Sequence, residues 1–543
     1  MTEQPSATVP EEHPIEAAVR AGYAFEGPAL ELGALMLDAT TTTAVPVRIP
    51  LGMLNRHGLV AGATGTGKTV TLQLLAEQLS HAGVPVFAAD IKGDLSGIST
   101  AAEGNDKIAA RSAKVGHDWQ GRGCPVEYYA IGGQGTGIPL RATMTAFGPT
   151  LLAKVLGLND TQESSLGLVF HYADKAGLPL LDLADLRAVV KHLVSDEGKA
   201  DLKDLGGLAA STAGVILREL IAFSDQGADA FFGEPEFESA DLLRTTPDGK
   251  GLVSLVELPN LQDRPAVFST FLMWLLADLF HDLPEVGDAD RPKLVFFFDE
   301  AHLLFKDASP DFLAAITQTV RLIRSKGVGV FFVTQSPTDV PDDVLAQLGS
   351  RVQHQLRAHT PNDAKALKQT VDTYPHSEYD DLGEVITSLG IGEAVVTVMN
   401  ERGAPTPVAW TLLRAPESRM GPADADAMTA TVQASPLHAK YAEAIDRESA
   451  HEKLAAKVEA GAAKAEAEAQ AEAEAERAGA EAERAGGGTG GGGLSYPKQT
   501  TRKAPTTEQR DVVKDIINSP VAKDLMRTAT REILRGVFGI GRR

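Results

Sequence analysis

The residues Gly62-Ala63-Thr64-Gly65-Thr66-Gly67-Lys68-Thr69 are spaced to hold phosphate, because they fill the pattern G-x-x-x-x-G-K-[ST] without a mismatch. The glycines let backbone N–H groups of the segment from Gly62 to Val70, Thr64 and Thr66 included, converge on anionic oxygens. A helix opening near Lys68 adds its positive end to the same place. Lys68 has the reach for the β and γ phosphates of a nucleoside triphosphate, and the Thr69 hydroxyl suits a magnesium ion. A glycine-rich structural turn is the competing explanation. The context favours phosphate, since the apolar run GLVAG precedes the turn and the helical pattern TVTLQLLAEQLSHAG follows it.

A second chemical group closes the stretch LVFFFDEAH, Leu294 to His302. Its apolar run forms a buried strand whose carboxyl end delivers Asp299 and Glu300. Asp299 is expected to hold Mg²⁺ through water, and Glu300 to polarise an attacking water. Phosphoryl transfer asks for little beyond such positioning and charge neutralisation. A carboxylate pair at a strand end could instead cap a helix. His302 has no required role and is read as packing or coupling. A third group ends the strand GVGVFFVTQ, where Gln335 could touch the γ phosphate or the nucleophilic water. Between these strands the helix FLAAITQTVRLIRSKG carries Arg321, Arg324 and Lys326 near its end. An arginine there could reach a neighbouring subunit's γ phosphate, with Arg351 as a further candidate; cations that merely favour a helix C-terminus explain the pattern nearly as well. The run Asp90-Ile91-Lys92-Gly93-Asp94 follows the strand VPVFAAD on the edge where ligands gather in such sheets, unless it is only a polar turn.

The elements that must position these groups alternate strand and helix, which implies an α/β fold with a mostly parallel sheet. Residues 1–50 form a short lead-in with possible strands in ALELGALMLD and VPVRIP. Residues 51–142 and 249–415 are the two parts of the core, and residues 143–248 are a helical insertion, with leucines at helical spacing in LLDLADLRAVVKHLV. VEYYAI reads as a further strand of the first part, and VQHQLR and EAVVTVM as the last two of the second. Residues 416–485 become an Ala/Glu-rich helical segment without an apolar seam. Residues 486–510 contain the flexible linker GGGTGGGG, and residues 511–543 end in a basic helix. From Leu494 to Arg543 eleven basic residues face five acidic ones, which suits a docked helix or an anionic surface.

The chain has 543 residues and a net charge of −22, which lowers the expectation of tight nonspecific DNA binding. An acidic ring can still enclose a basic channel. The longest apolar run, FSTFLMWLLADLF, is shorter than the roughly 18 residues that span a bilayer and carries Asp278, so a buried helix is expected and no membrane partner. The start MTEQPSATVPEEHP lacks a signal-peptide pattern, and the single cysteine, Cys124, excludes an internal disulfide and a cysteine-cluster metal site. These points favour the cytoplasm.

On GATGTGKTVT and VFAADIKGDLSGI between Arg56 and Gly97, on FFFDEAHLLF, on GVFFVTQSPTDVPDDVLAQLGSRVQHQLRA and on the closing REILRGVFG, the chain resembles the YjgR-type proteins of the HerA–FtsK superfamily. The resemblance implies a RecA-like P-loop NTPase core that binds ATP and Mg²⁺. It also implies a homo-oligomeric ring, usually a hexamer, related to motors that pump or translocate double-stranded DNA. It assigns the ATPase roles to Lys68, Thr69, Asp299, Glu300 and Gln335, and the finger position to Arg324. HerA proper has a substantial N-terminal β-barrel where this chain has a short lead-in, which argues against a HerA-type nuclease partner. The letters DEAH do not make it a two-domain helicase, because no second nucleotide core follows Pro416. The expected function is a HerA-like ATPase motor acting on DNA. The rival is a nucleotide-dependent switch or scaffold acting on a protein partner.

Overall fold

Strands built from unbroken apolar runs must be covered on both faces, and that requirement organises this chain. The computed structural model describes residues 13–202, 205–258, 265–287, 289–305 and 310–485; the expected linker and basic C-terminal helix lie outside the described residues. The strands are β1 (Ala29–Leu37), β2 (Thr40–Pro50), β3 (Gly58–Ala61), β4 (Val86–Asp90), β5 (Val126–Ile131), β6 (Ile138–Leu140), β7 (Val253–Glu257), β8 (Leu294–Phe298), β9 (Val328–Thr334), β10 (Ser350–Gln353), β11 (Glu393–Thr397) and β12 (Ala409–Leu413). They join one sheet in the order β2-β1-β12-β11-β10-β3-β9-β8-β4-β7-β5-β6. From β10 to β6 every pairing is parallel, and from β10 to β2 every pairing is antiparallel. The fold is therefore α/β with a mostly parallel, RecA-like sheet. EAVVTVM reads in sequence as the last strand, but a further strand follows it: β12 returns beside β11 and pairs with β1. The short β6 likewise has no counterpart among the strands read from the sequence.

The parallel strands β3, β4, β7, β8 and β9 are buried at every position. Phenylalanines stack across neighbouring strands, with ring centroids 5.3 Å apart for Phe297 and Phe331 and 5.7 Å for Phe298 and Phe332. The apolar stretch around Trp274 forms the helix Pro265–Asp282, whose Phe271 and Trp274 are buried against Phe231. Among the described residues no helix is long and apolar enough to cross a membrane. The helix α1 (Pro14–Gly22) packs on β2, and α2 (Lys68–His81) follows β3. The pattern TVTLQLLAEQLSHAG reads in sequence as an amphipathic helix, but α2 has no consistently exposed polar face. It buries Gln73, Glu77 and Ser80 as well as its leucines, because protein covers it on nearly every side.

Between β6 and β7 the chain runs through a series of helices from Met144 to Asp225. Phe231, Phe232 and Phe237 then return it to the sheet as buried anchors. The compact unit that contains the sheet continues to Ala450, beyond the change of composition at Ala415. Tyr441, fully buried, packs against Phe237 at 5.3 Å. A second unit begins at His451; its described part is the remainder of the helix Ala450–Ala485, a largely exposed rod with the i,i+4 pair Lys464–Glu468 at 3.8 Å.

Candidate active site

The candidate site forms where the parallel strands end at their carboxyl edge. Residues 62–67 make the turn from β3 into α2, with φ of +157° at Gly62, +82° at Gly65 and +119° at Gly67. A side chain would fail here for reasons beyond backbone strain: a Cβ on Gly62 would lie 2.4 Å from the Cβ of His354. The turn is tied to both neighbouring strands, since Gly62 N–H donates to Thr334 O (3.2 Å) and Ala63 N–H to Gln355 O (2.8 Å). Lys68 is buried and its ammonium donates to the carbonyls of Gly62 (2.7 Å) and Ala63 (3.2 Å). Thr64 and Gly65 are exposed at the tip, Thr66 is buried with its hydroxyl on Ala63 O, and Thr69 and Val70 are half-buried in the first turn of α2. The N–H groups of Gly62 and Ala63 are thus committed to the neighbouring strands, and the first-turn N–H groups of α2 supply the helix end suited to phosphate.

β9 separates β3 from β8, so Lys68 and the acids follow strands two places apart, about 10 Å by ordinary strand spacing. Lys68 lies within electrostatic reach of Glu300 and Asp299. Its charge state reflects burial first, which depresses the ammonium's pKa, with Glu300 and Asp299 opposing that effect. Asp299 is 1% exposed; its Oδ1 accepts the Glu300 N–H at 2.9 Å, and its Oδ2 has no hydrogen-bond partner. Burial raises its pKa to about 6. An acid carrying an orphaned oxygen beside a phosphate cradle fits a magnesium ion. Among the described residues no three His, Cys, Asp or Glu side chains converge to hold a metal on their own.

Glu300 sits at φ +47°, a left-handed conformation uncommon for a residue with a side chain. The following turn fixes it, with Ala301 N–H on Val333 O (2.9 Å) and Leu303 N–H on Glu300 O (2.9 Å). Its carboxylate is ion-paired with Lys92 and approaches His302 Nδ1 at 3.2 Å. Burial alone would raise the Glu300 pKa, but Lys92, His302 and Gln335 outweigh it and hold the carboxylate below its ordinary value. Gln335 is exposed at the end of β9. Asp339 shapes that end by accepting from Thr334 Oγ1 (2.8 Å) and Ser336 N–H (2.9 Å). The sequence thus leads to Lys68, Asp299, Glu300 and Gln335 in one place.

Lys92 is the residue the sequence flagged without giving it a role. Asp90 organises its turn, accepting from the N–H groups of Gly93 (2.7 Å), Asp94 (3.3 Å) and Leu95 (2.8 Å). Nothing in the sequence pattern points to His354. It is fully buried beneath the phosphate loop, with Nε2 2.9 Å from Thr71 Oγ1, and burial lowers its pKa to about 4. A single histidine just beyond β10 carries no signal of such a place in the sequence.

A buried polar network docks the helix that presents Lys68. Glu77 of α2 accepts from the N–H groups of Glu417 (2.9 Å) and Ser418 (3.0 Å) and from Ser418 Oγ (2.8 Å). Gln73 donates to Ser418 Oγ (2.7 Å) and Arg419 O (3.0 Å). Glu417 is itself held by Arg122 (2.7 Å), Arg414 (3.0 Å) and His117 (3.1 Å).

The arginines stand elsewhere. Arg324 is exposed in the turn just before β9, at the amino edge of the sheet, so β9 separates it from the phosphate loop. Arg321 is exposed one turn earlier. Arg351, near the start of β10, donates to Thr373 O (2.8 Å) and lies over the Tyr374 ring. None of the three is part of this chain's own phosphate site.

Residues 36–543 match the family model described as helicase HerA-like C-terminal. The DNA double-strand break repair helicase HerA of Saccharolobus solfataricus is 21% identical over 375 residues, covering 67% of this chain and 66% of that protein. The protein of the same name from Sulfurisphaera tokodaii is 23% identical over 371 residues, with the same coverage. The chain therefore spans about two thirds of the length of the curated relatives it matches. Among solved structures, the plasmid coupling protein TrwB in complex with ADP and Mg²⁺ is 18% identical with a TM-score of 0.48, covering 73% of this chain and 97% of that one. VirB4 of Thermoanaerobacter pseudethanolicus gives 14% identity and a TM-score of 0.44, with 72% and 97% covered.

Proposed function

This chain belongs to the helicase HerA-like C-terminal family, and on that premise we propose that it hydrolyses ATP with Mg²⁺ as a homo-oligomeric, hexameric ring motor whose track is double-stranded DNA. The observation that supports hydrolysis is the meeting of Lys68, Asp299, Glu300 and Gln335, from separate segments, at one edge of the sheet. In this proposal the phosphate-loop N–H groups and Lys68 bind and orient the triphosphate. Thr69 and Asp299 would hold the metal, which supplies charge neutralisation between the β and γ phosphates when bound. Glu300 orients the attacking water and accepts its proton, and Gln335 lines up that water or the γ phosphate. An arginine finger comes from a neighbouring copy, with Arg324 the preferred residue, because its place on the opposite edge suits action in trans. Arg351 is engaged with Thr373 and Tyr374, which makes it the weaker candidate. The site of action is the cytoplasm.

The test is Glu300→Gln. DNA-stimulated turnover falls at least a hundredfold while ATP still binds; normal hydrolysis by this variant would refute the assignment. The net charge of −22 favours a second reading, a nucleotide-dependent assembly switch or scaffold for a protein partner without DNA translocation. Turnover with and without duplex DNA, at low and moderate salt, separates the two. Steep salt dependence of the stimulation supports phosphate contacts, and indifference to DNA at every salt supports the switch.

A further inference from the structure

If triphosphate lies in the loop of residues 62–69, its direction is fixed by the acids. The γ end must face Asp299 and Glu300 at the end of β8, so the sugar and base leave towards the opposite side, over the ends of β10, β11 and β12. On that side the turn into β11 touches the phosphate loop. Gly392 N–H donates to Thr66 O at 3.1 Å, and a Cβ on Gly67 would lie 3.5 Å from Gly392 N.

This turn is built firmly and yet displays an apolar side chain. Arg111, from the helix α3 (Asp106–Val115), donates to Gly392 O (3.1 Å), Ile391 O (3.1 Å) and Leu413 O (2.9 Å). Gly392 lies at φ +74°, and a Cβ there would come within 2.9 Å of the Arg111 guanidinium. Glu393 accepts from Gly390 N–H (3.0 Å) and from Trp410 Nε1 (3.0 Å), while its own N–H donates to Gly390 O (3.1 Å). At the tip Ile391 is 77% exposed, the most exposed of the large hydrophobic residues described. A mobile turn could hide such a side chain; one clamped by Arg111 and Glu393 holds it out. The polar groups beside it are committed within the fold: the carbonyls of Gly390, Ile391 and Gly392 and the N–H groups of Gly390 and Gly392 all have partners.

We propose that Ile391 is the wall against which the base of the bound nucleotide packs, and that the site accepts purine and pyrimidine nucleoside triphosphates alike. An aliphatic side chain contacts the face of any base, whereas base identity is read by donors and acceptors on its edge. The turn offers the former, and its carbonyls at residues 390–392 and the N–H groups of Gly390 and Gly392 are already engaged. This inference rests on the phosphate-site function proposed above and adds to it the nucleoside end of the same ligand.

The experiment measures equilibrium binding of ATP, GTP, CTP and inorganic tripolyphosphate to the full-length protein and to Ile391→Ser. The exposed position makes the substitution safe for folding. Wild-type affinities for the three nucleotides are expected within about fivefold of one another. Ile391→Ser weakens all three by about tenfold, the size of losing one well-packed aliphatic contact, and leaves tripolyphosphate unchanged. Unchanged nucleotide binding in the variant overturns the proposal, and so does an equal loss for tripolyphosphate, which would make the turn a prop for the phosphate loop. A hundredfold preference for one base overturns the claim of tolerance. If the wild type binds neither tripolyphosphate nor nucleotide, the phosphate site itself is wrong and the base wall falls with it, an outcome separate from the others.

Discussion

Replacing Glu417 by glutamine removes the charge at the centre of the network that docks α2. Two routes give the size of the effect. Burial would raise the Glu417 pKa, but His117, Arg122 and Arg414 outweigh it and hold it at about 2, against an ordinary 4.5. At 1.36 kcal/mol per unit, that depression corresponds to about 3 kcal/mol of stability at neutral pH. Because the folded value is the lower one, this stability is complete above pH 4.5 and is lost as pH falls from there through 2. The second route is breaking a buried ion pair, which costs about 3–5 kcal/mol when the partner stays buried; Arg414 is 8% exposed and would lose its neighbour's charge. Arg122 is largely exposed, so solvent weakens its share of the depression and places the effect at the lower end of these ranges. Urea unfolding of wild type and Glu417→Gln, followed by tryptophan fluorescence, measures the difference. Trp119 is a local probe, since its Nε1 donates to Pro416 O at 2.8 Å. The expected gap is about 3 kcal/mol at pH 7, shrinking by about 2 kcal/mol at pH 3. A gap below about 0.5 kcal/mol, or one equal at both pH values, would refute the role of the charge.

At the proposed catalytic centre, Lys68→Ala should weaken ATP binding at least a hundredfold, from the loss of charge-assisted contacts to two phosphates, as read by calorimetric titration. Lys92→Met leaves Glu300 with only His302 and Gln335 to orient it; turnover should fall at least tenfold with KM within about threefold, and an unchanged kcat would show that the ion pair is incidental. Burial places the Asp299 pKa at about 6, so protons compete with the metal below that value: the Mg²⁺ concentration for half-maximal turnover should rise at least threefold between pH 7.5 and 5.5. In Asp299→Asn that pH dependence should disappear.

What the sequence made legible follows from the kind of signal each feature leaves. The phosphate loop and the acid strand announce themselves locally, one by glycine spacing and the other by five apolar residues ending in two carboxylates. Strands covered on both faces stay apolar throughout, which is why β8 and β9 stand out. β12 lies close behind the turn-forming stretch MNERGAPTP, and β6 has only three residues, so neither offers a period to read. Glu77 looks like the polar face of a surface helix. Its burial depends on residues some 340 positions later, and no local pattern reports a partner at that distance. The same holds for Lys92 and Glu300, adjacent in space only because β4 and β8 are paired.

The pairing of β3 has a consequence for how the protein comes into being. Both of its immediate neighbours, β9 and β10, arrive from residues 328–334 and 350–353, whereas the cradle's own glycines and lysine are made before residue 70. During synthesis those early residues must wait, unsupported, for most of the catalytic domain to leave the ribosome. Such distant closure is entropically slow, and until it happens a growing polypeptide carries the signature of a nucleotide-binding protein without the ability to bind one.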